Sequence, residues 1–502
     1  MAPRIRETLL ATAREFNWHG RTIKGNSAGA WYEPIFVRDL ATQQPVLPFF
    51  LPPDYIRTPV EGFLASQDQF ATRSGAVHST LDAEDSEFFG YKATIVSDEE
   101  SSLVHAAFAY FRCFGGPDWL NSQVDGRLVI DRLGDALEHL WINRRWKDSA
   151  LLWRGHTTDW GDVKREAGEP TILETGDGLT ISPFDQAWHY RALEDYATML
   201  RAVMRPAQAA AARARAAQVR SETESVLWVP DRGHYQVHAL IGDWAGSFDV
   251  GSIIPISNVL ALYAGMAVPK QVVPILESTA RAESIANTDR AGTTLSMPFP
   301  DHFFESIPMQ GRQYQNGAVW DWWGGLQIVS EFEHGESERA IAHLDAAARY
   351  WDFADEIYEW FHLPSQSGQG SPQFAGAAAT MAQGVIRGLF GVDIATDGYR
   401  VISRLGARNG TLRASRPEGD SIEIAQTVDS QTVTLVIRAD TGTNGVAAIR
   451  LPAGWDKVAV LVNGQAVQAG RWRAGNDEYI GHWPIGQGIH VITASKSEGV
   501  GG

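Results

Sequence analysis

Two aspartates bracket a Trp-Gly pair in "HTTDWGDVKREAG" (156–168), directly after the apolar run "SALLW". Two carboxyl groups facing one another across a pocket are the equipment for breaking a glycosidic bond. One gives a proton to the leaving oxygen while the other activates water or attacks carbon. The indole between them adds a flat apolar face that suits a sugar ring and a single N–H donor. Asp159 and Asp162 are too close in sequence to be set on opposite walls, so the second acid has to come from elsewhere in the chain.

Positioning such groups is the work of the surrounding elements. Up to about Gly391 the pattern is helical: 98–114, 184–204, 256–266, 318–332, 337–351 and 376–390 carry apolar residues at three- and four-residue spacing. Gly/Pro/Asp-rich connections with their own aromatics lie between them. So long a helical region exceeds a four-helix bundle and fits a toroid of paired helices. After "GLFGVDIATDGYRV" the texture changes to alternating apolar and polar residues, as in "SIEIAQTVDSQTVTLVIRADTG" and "GIHVITASK", which reads as an antiparallel β-sandwich. The expected organisation is a mainly α toroid of paired helices over 1–392, a sandwich over 393–497 and a disordered tail over 498–502.

Composition narrows the partners. The 502-residue chain has a formal net charge of −17 and no long basic tract, which argues against nucleic acid. The Ala/Arg-biased stretch 205–228 is read as the solvated face of one long helix. Cys113 is the single cysteine, which excludes an intramolecular disulfide and is read as a small buried hydrophobe. No ligand spacing implies a metal or an organic cofactor. "MAPRIRETLLATAREFNW" reads as an amphipathic helix and not a signal peptide, and no window approaches the roughly 20 apolar residues of a membrane span. A soluble, cytoplasmic protein is expected, with secretion open if a leader has been removed. The 18 tryptophans are many for a globular chain and suit surfaces that stack on flat ligands.

With these residues in view, four patches resemble six-hairpin, (α/α)6-barrel glycosidases of the glucoamylase, amylo-α-1,6-glucosidase, trehalase and α-L-rhamnosidase kind. "DWGD" resembles their Trp-x-Asp loop, and "SPFDQAWHYRALEDYA" is similar to the helix that follows it. The resemblance implies that Asp162 is the general acid, while Asp159 orients a hydroxyl or caps the loop and Trp160 lines the pocket. "WYEPIFVRDLA" resembles the segment whose Arg-Asp pair grips the non-reducing sugar, which implies binding roles for Arg38 and Asp39 with Trp31 as a wall. "YQNGAVWDWW" is similar to the pocket-lining Tyr-x-Asn-Gly-x-x-Trp segment, implying Gln315, Asn316, Trp320 and Asp321, the last standing where proline is common. "EIYEWFHLPSQSGQGSPQFAGAAATMAQGVIRGLFG" resembles the closing segment, which puts the general base at Glu359 with Glu356, three residues earlier on the same helical face, in reserve.

The reading that follows is an exo-acting, inverting hydrolase of an α-linked glycoside, whose partner is a glycoside or oligosaccharide substrate. Three alternatives stand beside it. A phosphorylase on the same barrel would need donors for phosphate. A sugar epimerase would use paired histidines, with His156, His189, His302 and His362 near the motifs. A glycan-binding protein would have lost the chemistry.

Overall fold

The computed structural model describes residues 1–69, 75–83, 94–158, 160–161, 163–242, 252–307, 309–417 and 419–496. The expected acids Asp159 and Asp162 and the expected tail 498–502 lie outside the described residues.

Two classes of helix alternate along the first 390 residues. Six are buried nearly all round: Val37–Gln43, Glu99–Tyr110, Pro183–Ala202, Pro255–Tyr263, Asp321–Glu333 and Ala375–Gln383. In Pro255–Tyr263 and Ala375–Gln383 every residue is buried, the pattern of a helix enclosed by others. Each packs on the next in that order, and Ala375–Gln383 returns to pack on Val37–Gln43, so the series closes into a ring. The alternating helices Ala2–Ala11, Asp54–Ser66, Val129–Asn143, Pro206–Leu227, Pro269–Ala286 and Ser337–Ala354 lie against that ring. They bury one stripe: Pro206–Leu227 turns Ala209, Ala212, Ala216, Val219, Thr223 and Leu227 inward. The expectation of a solvated arginine face is corrected: the arginines are half-buried and reach neighbouring elements, Arg213 to Glu194 at 3.6 Å, Arg215 to Glu138 at 2.7 Å and Arg220 over the Tyr190 ring at 4.4 Å.

Several boundaries differ from the expectation. The N-terminal helix stops at Ala11, and Ala13–Trp18 pairs with Arg21–Asn26 as an antiparallel hairpin. The expected helices 98–114 and 376–390 end at Tyr110 and Gln383 and continue as π-helical turns, Phe111–Gly115 and Gly384–Leu389. Cys113 sits in the first of these turns, half-buried, and burial raises its thiol above the ordinary value.

From Val392 onward the described chain is strands. A five-stranded sheet runs in the order Val392–Ala395, Gly398–Ser403, Gly445–Arg450, Asp477–Ile485, Gly470–Ala474, beside a six-stranded sheet centred on Thr432–Asp440 and Gly488–Lys496. The expectation of wholly antiparallel pairing is corrected at one place: Gly398–Ser403 and Gly445–Arg450 are parallel. The strands are tied to the helices by buried charge. Arg450 donates to Asp477 at 3.0 Å and to Glu338 at 2.6 Å, and Asp477 accepts the backbone N–H of Ser337 at 3.2 Å.

Between three helices of the barrel region lies a second charged knot. His343 contacts Glu331 at 2.9 Å and Glu283 at 3.5 Å, and Arg339 reaches the same two carboxylates at 3.2 and 2.9 Å. Burial lowers the affinity of His343 for its proton, but the two carboxylates overcome this and carry its pKa up to about 10. A raised folded-state pKa means that the stabilisation is complete below the ordinary histidine value and is lost as pH climbs towards 10. The wild-type melting temperature should therefore fall by several degrees between about pH 6.5 and pH 10, and His343→Gln should flatten that slope. Parallel melting curves of the two proteins across this range would contradict the assignment.

Candidate active site

The N-terminal ends of several ring helices meet around one pocket. It is lined by Ala28, Tyr32, Phe36, Arg38, Asp39, Trp160, Tyr314, Trp320, Trp322, Glu359 and Phe374. Phe36, Trp320 and Phe374 are the N-cap residues of Val37–Gln43, Asp321–Glu333 and Ala375–Gln383, and none caps its helix with a side-chain hydrogen bond. Arg38, Asp39 and Trp322 occupy first turns. The positive ends of three helix dipoles thus face the pocket, a setting that favours carboxylates such as Asp39 and Glu359.

Glu359 is 6% exposed and held from two sides. The Tyr32 hydroxyl lies 3.1 and 3.0 Å from its two oxygens, and the backbone N–H of Ser371 donates to Oε2 at 3.0 Å. The Glu359 N–H returns a bond to the Ser371 carbonyl at 3.0 Å, so carboxylate and backbone are fixed by the same residue. Glu359 is not on a helix. Ser337–Ala354 ends at a left-handed Asp355, and Glu359 stands at a bend before the short strand Trp360–His362. The expectation of a shared helical face with Glu356 is therefore wrong. Glu356 turns back to accept the N–H of Ile357 at 2.7 Å and does not line the pocket.

Arg38 is locked by two parallel bonds to Asp98, 2.5 and 2.8 Å, and Asp98 is the fully buried N-cap residue of Glu99–Tyr110. A bidentate carboxylate fixes the guanidinium plane as well as its charge. A further fully buried pair, Arg154 with Asp185 at 3.3 Å, stands nearby. Burial pushes the Asp185 carboxyl above the usual range, while Arg154 pulls it back.

The pocket walls are a tryptophan cluster. Trp160 lies edge-on to Trp320 with centroids 4.9 Å apart, and Trp322 stacks on Trp323 at 4.4 Å. The Trp320 and Trp322 indoles donate to the Tyr314 carbonyl at 3.1 Å and the Thr42 hydroxyl at 2.8 Å. Trp160 and Trp320 are only 3% and 1% exposed, so both belong to the core as well as to the pocket. Beside Trp160, Gly161 is required by space: a Cβ there would fall 1.6 Å from the Thr157 hydroxyl.

Of the residues expected from sequence, Arg38, Asp39, Trp160, Trp320 and Glu359 come together here. Four others do not line this pocket. Trp31 is 69% exposed. Gln315 is fully buried, with Thr158 donating to its side chain at 3.3 Å. Asn316 braces the backbone of Phe299 in both directions, at 2.8 and 3.1 Å. Asp321 is taken up by Arg290 and by the Trp351 indole, 2.6 Å away. Tyr32, Phe36, Tyr314, Trp322, Phe374 and Asp98 were not singled out by sequence, although the first five lie inside the quoted motifs. Among the described residues no histidine lines this pocket, and no cluster of His, Cys, Asp and Glu could hold a metal ion. Burial lowers the pKa values of His156 and His189 to about 3.

No protein-family model matches the sequence, and no curated protein matches it either. Solved structures do match the fold. The α-L-rhamnosidase of Streptomyces avermitilis, complexed with L-rhamnose, superposes with a TM-score of 0.62 at 12% identity over 97% of this chain and 41% of that one. The α-L-rhamnosidase of Dictyoglumus thermophilum gives 0.60 at 12% identity over 92% of this chain and 46% of that one. The mannosylglycerate hydrolase of Thermus thermophilus, in complex with glucose, gives 0.53 at 12% identity over 76% of this chain and 98% of that one. The chain thus spans less than half the length of the rhamnosidases and nearly all of the mannosylglycerate hydrolase. The rhamnosidases are (α/α)6-barrel glycosidases with β-rich C-terminal domains, and the fold of this chain is theirs; the mannosylglycerate hydrolase matches 76% of this chain.

Proposed function

We propose that the protein is an exo-acting glycoside hydrolase, built on a six-hairpin toroid, that cleaves an α-linked glycoside from its non-reducing end with inversion. The observation that carries the proposal is the meeting of Glu359, Arg38 and Asp39 inside one tryptophan-walled pocket, to which Trp160, two residues before Asp162 in sequence, contributes a wall. In this reading Asp162 is the general acid and Glu359 the general base. Tyr32 and the Ser371 N–H keep the carboxylate of Glu359 aimed, which a base needs if it is to take a proton from one particular water. Arg38 and Asp39 bind hydroxyls of the terminal sugar, and the indoles cover its apolar faces. A site walled by aromatic rings on several sides suits a chain end better than the middle of a polysaccharide.

Hydrolysis is favoured over phosphorolysis by the charges. Arg38 is the only cation among the described lining residues, and its guanidinium is already engaged by Asp98. Epimerisation would need histidines at the reacting carbon, and those near the motifs do not line the pocket. The rhamnosidases and the mannosylglycerate hydrolase among the structural neighbours make deoxyhexosides and hexosides the first substrates to try.

Proton NMR of the first product decides the stereochemistry. An α-linked substrate should release the β-anomer before mutarotation, as expected where the carboxyl groups stand roughly 6.5–9.5 Å apart with water between them. Early α-anomer would sink the inverting assignment. On the same substrate Asp162→Asn should cost about 10²–10⁴-fold in turnover, as should Glu359→Gln, with monosaccharide binding retained. Near-wild-type activity in either variant would remove that residue from its role.

Tyr32→Phe isolates the positioning of the base. Losing the hydroxyl that aims the carboxylate should lower kcat about tenfold to a hundredfold, with KM nearly unchanged and the melting temperature lower by a few degrees at most. Unchanged kcat would mean that Ser371 alone suffices to hold Glu359.

A further inference from the structure

Asp321 fits its expected role as a sugar ligand poorly, and the reason is a buried cation. Arg290, 5% exposed, lies in the connection after Pro269–Ala286. Its Nη2 is 2.5 Å from Asp321 Oδ2, and the Trp351 indole donates to the same oxygen at 2.6 Å. The guanidinium also sits over two rings, with Cζ 3.9 Å from the centroid of Tyr350 and 4.5 Å from that of Phe361. These neighbours are adjacent in sequence to the pocket. Asp321 is the residue between Trp320 and Trp322, and Phe361 is two residues beyond Glu359.

The same two segments are joined by backbone. Val319 and Phe361 exchange hydrogen bonds, N–H to carbonyl, at 3.1 and 2.8 Å. Trp320 N–H donates to the Gly292 carbonyl at 2.9 Å, two residues beyond Arg290. Gly292 has φ +94, and a Cβ there would lie 2.2 Å from the Trp320 carbonyl, so the loop carrying Arg290 is pressed against the start of the tryptophan segment. One planar cation thus grips the tryptophan wall through Asp321 and the strand after Glu359 through Phe361.

We propose that Arg290 and Asp321 are positioning residues that fix the distance between Glu359 and the Trp320–Trp322 wall, and so govern turnover more than sugar affinity. This rests on the glycosidase reading for its catalytic consequence and on geometry alone for the coupling of the two segments. Arginine is suited to the task because its flat face lies against two rings while its edge meets a carboxylate, a combination that lysine cannot reproduce.

The test has to separate positioning from the cost of stranding a buried charge. Arg290→Met combined with Asp321→Asn removes both charges together and leaves an oxygen for the Trp351 indole. Replacing a buried ion pair by neutral groups of similar size is often tolerated. Two measurements follow. Amide hydrogen exchange at Val319 and Phe361 should accelerate at least about tenfold in the double variant, with exchange in the paired strands Thr432–Asp440 and Gly488–Lys496 unchanged. On any glycoside the wild type cleaves, kcat should fall about tenfold, or roughly 1.4 kcal/mol, while KM stays within about twofold to threefold. Unchanged exchange at Val319 and Phe361 overturns the coupling. A KM that rises while kcat holds, or kinetics indistinguishable from wild type, overturns the catalytic consequence. Should the double variant fail to fold, Arg290→Lys keeps the charge without the planar fork and should show the same pattern at smaller size. Wild-type inactivity across a broad glycoside panel would count against the glycosidase reading, and the exchange arm would still decide the coupling.

Discussion

The helix Ala375–Gln383 closes the ring, and the pocket depends on that closure. It packs against Asp321–Glu333 on one side and Val37–Gln43 on the other, joining the two ends of the helical region. Its sequence, AGAAATMAQ, explains how it fits: short side chains let neighbouring backbones come close. At Gly325 a Cβ would fall 2.3 Å from the backbone carbonyl carbon of Thr380, so neither helix could be bulkier there. Gln383 donates to the Thr42 carbonyl at 2.6 Å, and Trp322 donates to the Thr42 hydroxyl, so the closure is hydrogen-bonded as well as close-packed. The loop before the helix is stitched to the N-terminal segment by Ala30 N–H to the Pro372 carbonyl and Ala375 N–H to the Ala28 carbonyl. Tyr32 reaches Glu359 across this seam.

The parts of the fold that could be read in the sequence are those governed by local periodicity. Helices with an apolar stripe, such as Pro206–Leu227, and the alternating strands of the C-terminal region declare themselves. The N-terminal hairpin was also legible in principle. Arg14 to Trp18 and Arg21 to Lys24 mix polar and apolar residues, and His19-Gly20 between them takes positive φ at both positions, +47° and +79°, as a tight hairpin turn requires. Its helix-compatible composition hid it. The boundaries at Tyr110 and Gln383 were missed because π-turns keep the apolar pattern running while changing the hydrogen bonds.

The site was legible to the extent that its residues sit in motifs. Arg38, Asp39, Trp160, Trp320 and Glu359 were reached through segments that resemble those of six-hairpin glycosidases. Position was harder. Whether an indole faces a cavity or a core is set by helix packing, so Trp322 and Phe374 were indistinguishable from their neighbours. Asp321 looked like a sugar ligand because its partner, Arg290, lies 31 residues upstream in a loop with no motif. Asp98 was one acid among several in "SDEE", and only its pairing with Arg38, 60 residues away, shows what it holds.

The reach from Tyr32 to Glu359 spans 327 residues of chain, and this has a consequence for biosynthesis. Contacts so remote in sequence form only after the intervening chain has been ordered. During translation Tyr32 emerges before the later helices of the ring and waits while they are made. At about 5–20 residues per second that interval is on the order of tens of seconds. Through all of it the first ring helix, Val37–Gln43, has one flank uncovered, awaiting a partner made near the end of the helical region. The alanine-rich closing helix brings the last apolar surface under cover and the pocket into being in the same step.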